Sequence, residues 1–217
     1  SLIYETLPTE ERYKVLKLSY TSSYSNKTYE VNFHKGQDMK YGAYFNPAGV
    51  EIAPRIEENQ APIRDYIEIT SLPGEFREGK VRGHSGTDFK AEVGTPVYAA
   101  FEGKVIRVNW NFKMNGDCVE IEHADKGVRT LYLHLSKVLI KPGTTVKQGQ
   151  QIAESGNTGR SFAPHLHYEI QSLDKKKAIY SPFKSKFHQT YFKDIPSEDK
   201  ADYEKTVRLY DSIFQKS

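Results

Sequence analysis

The sequence predicts a mainly β protein with minor helices, built around an antiparallel sheet, and three observations carry that prediction. Between Gly83 and Gln171, runs rich in Val, Ile and Tyr are separated by short turn signals, EGK, NGD, DKG, KPG and KQG. Several of these runs alternate apolar and polar residues with the period of two that a half-buried strand requires, as in CVEIEH and HLHYEI. The 217 residues include 15 Gly and 10 Pro, with 37% hydrophobic and 27% charged residues, a turn-rich composition of a soluble folded chain rather than a disordered or membrane one.

Taken in chain order, PTEERYKVLKL predicts a helix after Thr9. Strands are expected over Thr28–Phe33 and Tyr41–Phe45, with turns at HKGQD and NPAG, so that residues 1–55 form a small β-rich module. A transition follows with Pro62, Pro73 and Gly74, and the strand-rich core domain is assigned to 56–172. Residues 173–217 then form a lysine-rich linker, with KKK at 175–177, and a C-terminal helix. That helix is expected from Ser197 as N-cap to Phe214, with Tyr203, Val207, Tyr210 and Phe214 on one apolar stripe that packs on the protein body.

The net charge of +3 is too small to imply nucleic acid as a partner. The single cysteine, Cys118, excludes an internal disulfide and a multi-cysteine zinc site, and in CVEIEH it reads as a small apolar strand residue. The opening SLIYETLPTEER has neither a basic region nor an apolar run of a targeting segment.

Chemistry concentrates in three histidine-bearing segments. In GHSGTDF, His84 and Asp88 offer an imidazole nitrogen and a carboxylate oxygen to a divalent metal, with Gly86 expected to let the backbone turn tightly between them. In APHLHYEI, His165, His167 and Glu169 share one face of a strand and Leu166, Tyr168 and Ile170 the other. One histidine of that pair would complete a three-ligand shell, and Glu169 could orient an imidazole behind it. In RTLYLHLSK, His134 is expected on the same face as Tyr132 and Ser136. No HExxH helix is present, so a histidine must replace the glutamate base of such helices.

In this order and spacing, GHSGTDFKAEVGTPVYAAFEGKV, TLYLHLS and SGNTGRSFAPHLHYEI resemble the LytM/lysostaphin-type zinc metallopeptidases that cut peptidoglycan cross-links, over residues 76–172. The resemblance implies a LytM-type antiparallel β-sheet catalytic domain holding one zinc ion on His84, Asp88 and His167. It implies His134 and His165 as the pair that handles the attacking water and the developing oxyanion. It also implies a cleft lined by Tyr132, Asn157, Gly159 and Arg160 and a murein peptide substrate, with no nucleic acid and no lipid insertion. The lead-in NPAGVEIAP and IRDYIEITSLPGEFRE resembles Gram-negative members with an extra β-rich domain that trim the wall and set cell shape. That implies a periplasmic or extracytoplasmic endopeptidase of the D-alanyl to diaminopimelate bond, with carboxypeptidase action as a possible companion. The chain departs from those relatives in lacking an Arg-x-His-Pro segment before His84, where FREGKVRGHSG is shorter.

Two other readings compete. A catalytically inactive LytM-like module that activates another wall hydrolase would have lost ligands, whereas all five histidine and aspartate positions are present. VGTPVYAAFEGKVIRV and TTVKQGQQIAES echo lipoyl- and biotinyl-carrier hairpins, but no lysine stands at a hairpin tip in the form such carriers need. The layout finally suggests that the N-terminal module or the C-terminal helix covers the metal site and restrains the enzyme.

Overall fold

A computed structural model describes residues 1–7, 12–37, 39–76, 83–174 and 176–215. Its strands are β1 (Leu2–Leu7), β2 (Arg12–Thr21), β3 (Thr28–His34), β4 (Ala43–Phe45), β5 (Arg55–Ile56), β6 (Glu68–Ser71), β7 (Thr87–Lys90), β8 (Pro96–Tyr98) and β9 (Gly103–Val108). After a one-turn helix α1 (Phe112–Asn115) come β10 (Asp117–His123), β11 (Val128–Val138), β12 (Thr145–Val146), β13 (Gln151–Ser155), β14 (His165–Ser172), β15 (Ile179–Tyr180), β16 (Thr190–Tyr191) and the C-terminal helix α2 (Lys200–Phe214). The molecule is therefore mainly β with minor helices, as its turn-punctuated alternation predicts.

The chain divides into two compact units, one of Ser1–Arg55 with Tyr191–Ser217 and the other of Ile56–Thr190. The segment 173–217, expected as one tail, is thus shared out. Its first part stays with the larger unit because β15 pairs with β14. Its last part closes the smaller unit.

The smaller unit is an antiparallel meander in the order β1-β2-β3-β4. The helix expected in PTEERYKVLKL is a strand from Arg12 onward, and Pro8–Glu11 lie outside the described residues. Helix-favouring Lys and Leu are overridden by pairing on both edges, β2 bonding β1 on one side and β3 on the other. Lys17, which a helical reading would leave in solvent, is fully buried and ion-paired with Asp211 of α2, with Glu30 at 3.7 Å. α2 also inserts Tyr203, 1% exposed, whose hydroxyl donates to the Asn46 carbonyl at 2.7 Å and whose ring meets His34 and Phe45 edge-on. Ser197 is not its cap: the Ser197 hydroxyl bonds Glu198, a turn closes from Pro196 to Asp199, and the helix begins at Lys200.

The larger unit is a ten-stranded sheet whose main path runs β12-β9-β10-β11-β14-β7-β6, with β13 bridging β11 and β8. Its core holds Phe89, Phe101, Ile121, Tyr132, Leu166, Tyr168 and Ile170. A second small cluster, Cys118, Leu131 and Leu133 with Trp110 against it, lies on the other face of β10 and β11, so Cys118 behaves as the small apolar residue expected.

Candidate metal centre

Three adjacent strands bring the site together, β7, β14 and β11, with Asp88 opposite His167 in register and His167 opposite Leu133. The alternation of β14 is as the sequence predicts: Leu166, Tyr168 and Ile170 are buried in the core, and His165, His167 and Glu169 occupy the other face. That face is not solvated, since His167 and Glu169 are 6% and 5% exposed.

His84, Asp88 and His167 converge. One donor atom from each lies within 4.8 Å of the others. His84 Nε2 stands 3.2 Å from Asp88 Oδ2 and 3.2 Å from His167 Nδ1, and His167 Nδ1 is 2.8 Å from Asp88 Oδ1. The far nitrogen of each imidazole is already committed. His167 Nε2 donates to Glu169 Oε1 at 2.8 Å, and that carboxylate also accepts from the Ser85 hydroxyl at 2.7 Å and from the Gln171 amide. His84 Nδ1 lies 2.9 Å from Ser71 Oγ. Because the Ser71 hydroxyl donates to Glu75 at 2.7 Å, it accepts from His84 Nδ1, which leaves the Nε2 lone pair for the centre. Outer partners of this kind set the tautomer and orientation of metal-binding imidazoles. A donor set of two nitrogens and one carboxylate oxygen suits a divalent cation.

The electrostatics agree with a site built to hold positive charge. Burial alone would raise the Asp88 pKa, but hydrogen bonds and charge from His167 and His84 hold its carboxyl far below the usual range. Burial alone would lower that of His167, yet its bonds to Asp88 and Glu169 raise it to about 9.

Gly86 stands at a bend just before β7, as expected, without a positive φ, and it also serves close approach. A Cβ there would lie 2.6 Å from the Tyr168 carbonyl oxygen and 2.7 Å from His167 Nε2. Only glycine lets the segment after His84 pass beneath the His167 ring.

His134 is also brought in, but not on the face the sequence suggests. Regular alternation would bury it beside Tyr132. Instead its φ is +62°, and the four residues of β11 from Tyr132 to Leu135 oppose the three of β10 from Val119 to Asp117, which is a β-bulge. The parity of the strand shifts there, so that Tyr132 and Leu135 are both in the main core while Leu133 joins the small cluster. The extra residue, His134, turns toward the site with its ring 4.8 Å from that of His165 and 5.9 Å from that of His167. Its Nδ1 donates to the Thr158 carbonyl at 2.9 Å, and His165 Nδ1 donates to the Ala163 carbonyl at 2.8 Å. Carbonyls only accept, so both rings carry their proton on Nδ1 and offer Nε2 as an acceptor; His165 Nε2 faces Asp88 Oδ1 at 3.6 Å. Burial lowers the His134 pKa to about 4, which keeps it neutral at neutral pH.

Tyr132 does not line a cleft. It is 0% exposed, with its hydroxyl accepting from the Ala100 N–H at 2.9 Å and from Thr130 at 3.2 Å. Asn157, Gly159 and Arg160 are exposed on the loop whose Thr158 carbonyl holds His134. Ser71, Glu75, Ser85 and Thr158 escaped the sequence reading, although Ser85 stands inside HxGxD and Thr158 inside SGNTGRS.

Residues 82–180 match Peptidase family M23. The chain is 48% identical over 92 residues to the peptidoglycan DD-endopeptidase ShyC of Vibrio cholerae serotype O1, covering 42% of this chain and 21% of that protein. The chain spans only 21%, 27% and 30% of the lengths of three curated relatives it matches. A zinc-containing peptidase from Vibrio cholerae superposes with a TM-score of 0.52 at 32% identity, over 80% of this chain and 51% of that one. The catalytic domain of lysostaphin from Staphylococcus simulans superposes with a TM-score of 0.50 at 34% identity, over 54% of this chain and 90% of that domain. With nearly all of that catalytic domain matched and its motifs in place, the chain belongs to Peptidase family M23.

Proposed function

We propose that the chain is a zinc-dependent metallopeptidase that hydrolyses peptide cross-links in peptidoglycan. His84, Asp88 and His167 hold one zinc ion in this reading, and His134 and His165 handle protons beside it. The observation that carries the proposal is the convergence of those three donor atoms within 4.8 Å, each imidazole being held by a second partner on its far nitrogen. Bound there, zinc supplies Lewis-acid chemistry, activating water near neutral pH and polarising a carbonyl.

The chain's own groups do the rest. His134, neutral and with Nε2 unprotonated, takes a proton from water as the nucleophile forms and returns it to the leaving amine. His165 Nε2, 3.6 Å from Asp88 Oδ1, positions the reacting groups beside the carbonyl oxygen on which charge develops. Glu169 and Ser71 fix the two ligand rings. Asn157, Gly159 and Arg160, exposed on the loop that holds His134, line the approach of an extended peptide.

The D-alanyl to diaminopimelate bond is the proposed target, because the matched region is 48% identical to a peptidoglycan DD-endopeptidase. Such a substrate sets the work in the periplasm or elsewhere outside the cytoplasm. Chelation should abolish cleavage of purified murein and zinc should restore it, and mass analysis of the released muropeptides would identify the bond. Cleavage that persists in His84→Ala or His167→Ala protein would overturn the ligand assignment.

A further inference from the structure

We infer that Thr158 is a positioning residue for His134, its side-chain hydroxyl fastening the bulge of β11 while its carbonyl holds the imidazole; the inference rests on the peptidase reading above. The loop SGNTGRS, residues 155–161, offers Asn157, Gly159 and Arg160 to the proposed cleft, and Thr158 between them is half-buried. Its Oγ1 donates to the Leu135 carbonyl at 2.6 Å and accepts the Asp117 N–H at 3.0 Å. Asp117 and Leu135 are the register pair of β10 and β11 just beyond the bulge. A hydroxyl both donates and accepts, so it links the two strands where the extra residue disrupts their ladder. His134, the residue before Leu135, is held at φ +62°, and the Thr158 carbonyl accepts its Nδ1–H at 2.9 Å. That carbonyl is one any residue could present; the hydroxyl is not.

The surroundings are shaped to admit this side chain. Gly116 is buried just before β10, and a Cβ there would lie 2.1 Å from Thr158 Oγ1, so any larger residue would displace the hydroxyl. The loop is pinned on both sides of Thr158. Arg160 N–H donates to the Met114 carbonyl of α1 at 3.1 Å, and the Gly156 carbonyl accepts from the His165 N–H at 3.1 Å. A histidine at positive φ persists only where its surroundings impose that conformation, and Thr158 imposes it from two directions, through the backbone behind the ring and through the ring itself. Without the hydroxyl, the Asp117 N–H and the Leu135 carbonyl each lose a partner, and the bulge is freed to relax.

The test uses the full chain, zinc-loaded, with Thr158→Val, which keeps the branched shape but not the hydroxyl, and Thr158→Ser, which keeps the hydroxyl. Misplacing a reacting group by about 1 Å costs up to about 100-fold in rate, so Thr158→Val should lower kcat for murein peptides by about 10–100-fold, with KM and zinc content unchanged. Thr158→Ser should restore most of that loss. The ring is read without turnover by nitrogen–proton correlation spectra of the imidazoles, with His134 assigned by comparison with His134→Ala protein. The Nδ1–H form should dominate in the unaltered and Thr158→Ser proteins, and Thr158→Val should show a shifted His134 signal or a mixture of tautomers. An unchanged His134 spectrum in Thr158→Val protein would overturn the inference, as would an unchanged kcat. A kcat loss that serine fails to restore, or that follows lost zinc, would overturn it too, because either marks a general structural role. If the valine protein does not fold, Thr158→Ala carries the same comparison. If none of the proteins, the unaltered chain included, cleaves murein peptides, the peptidase reading fails on its own, and the His134 spectrum still decides whether Thr158 positions the ring.

Discussion

Gly86 offers a sharp test of the centre because the perturbation is a single methyl group. Replacing it by alanine puts a Cβ 2.7 Å from His167 Nε2 and 2.6 Å from the Tyr168 carbonyl oxygen, where ordinary contact begins near 3.4 Å. The overlaps are therefore 0.7 and 0.8 Å. Neither neighbour yields easily. Tyr168 is 1% exposed in the core, and β14 is fixed by pairing to β7 and β11 on either side. The ring of His167 is the softer partner, and moving it lengthens the 2.8 Å bond from Nε2 to Glu169 and misdirects Nδ1. Overpacking of a filled interior costs about 1–3 kcal/mol. Loss of an imidazole's outer partner lowers metal affinity by roughly 10–100-fold, equivalent to about 1.4–2.7 kcal/mol. Gly86→Ala should thus fold with a lowered melting temperature and bind zinc at least tenfold more weakly, as measured by competition with a chromophoric chelator. Zinc affinity and melting temperature equal to those of the unaltered chain would refute the claim that glycine is required for His167 to reach its place.

Other expectations follow from the same contacts. Glu169→Gln keeps an acceptor for His167 Nε2 but removes the charge, and zinc affinity should fall by about tenfold in chelator competition. His134→Ala should lower kcat for murein peptides by about 100-fold or more while zinc content, read by elemental analysis, stays at one per chain. Tyr203→Ala removes a 1%-exposed ring and its bond to the Asn46 carbonyl from the smaller unit, so denaturant unfolding followed by a probe in that unit should show a loss of about 3–5 kcal/mol. His188, buried against Phe101 and bonded to the Tyr168 hydroxyl at 3.0 Å, has a pKa lowered by burial from 6.5 to about 3. The unfolded chain takes up that proton first, so the stability His188 contributes is complete above pH 6.5 and is lost as pH falls toward 3. Urea denaturation of His188→Gln protein should accordingly show a shallower decline over that window than the unaltered chain, by up to about 1.4 kcal/mol per pH unit.

The strand face of β14 was legible because alternation is a local property: Leu166, Tyr168 and Ile170 against His165, His167 and Glu169 needs only a period of two. The convergence of His84, Asp88 and His167 was legible only through family resemblance, since β7 and β14 are far apart in the chain and nothing local announces their pairing. The face of His134 was misread for a physical reason. A bulge adds one residue without changing composition, and parity counted from Tyr132 then fails from His134 onward. Tyr132 was placed at the cleft through the resemblance, and the structure buries it in the core instead. The helix assigned to PTEERYKVLKL failed because propensity is a weak prior beside pairing on two edges and the ion pair of buried Lys17 with Asp211, 194 residues away. Ser71 and Thr158, which hold His84 and His134, are a lone serine and a carbonyl that any residue could present.

The irregularity at His134 has a consequence for anyone transplanting this chemistry. β11 carries two frames, one up to Leu133 and another from Leu135, and the histidine exists as a functional group only at the seam. A scaffold given the same side chains on an uninterrupted strand would point that imidazole into its own interior. The defect, together with the Thr158 carbonyl that answers it, must be copied as a single part.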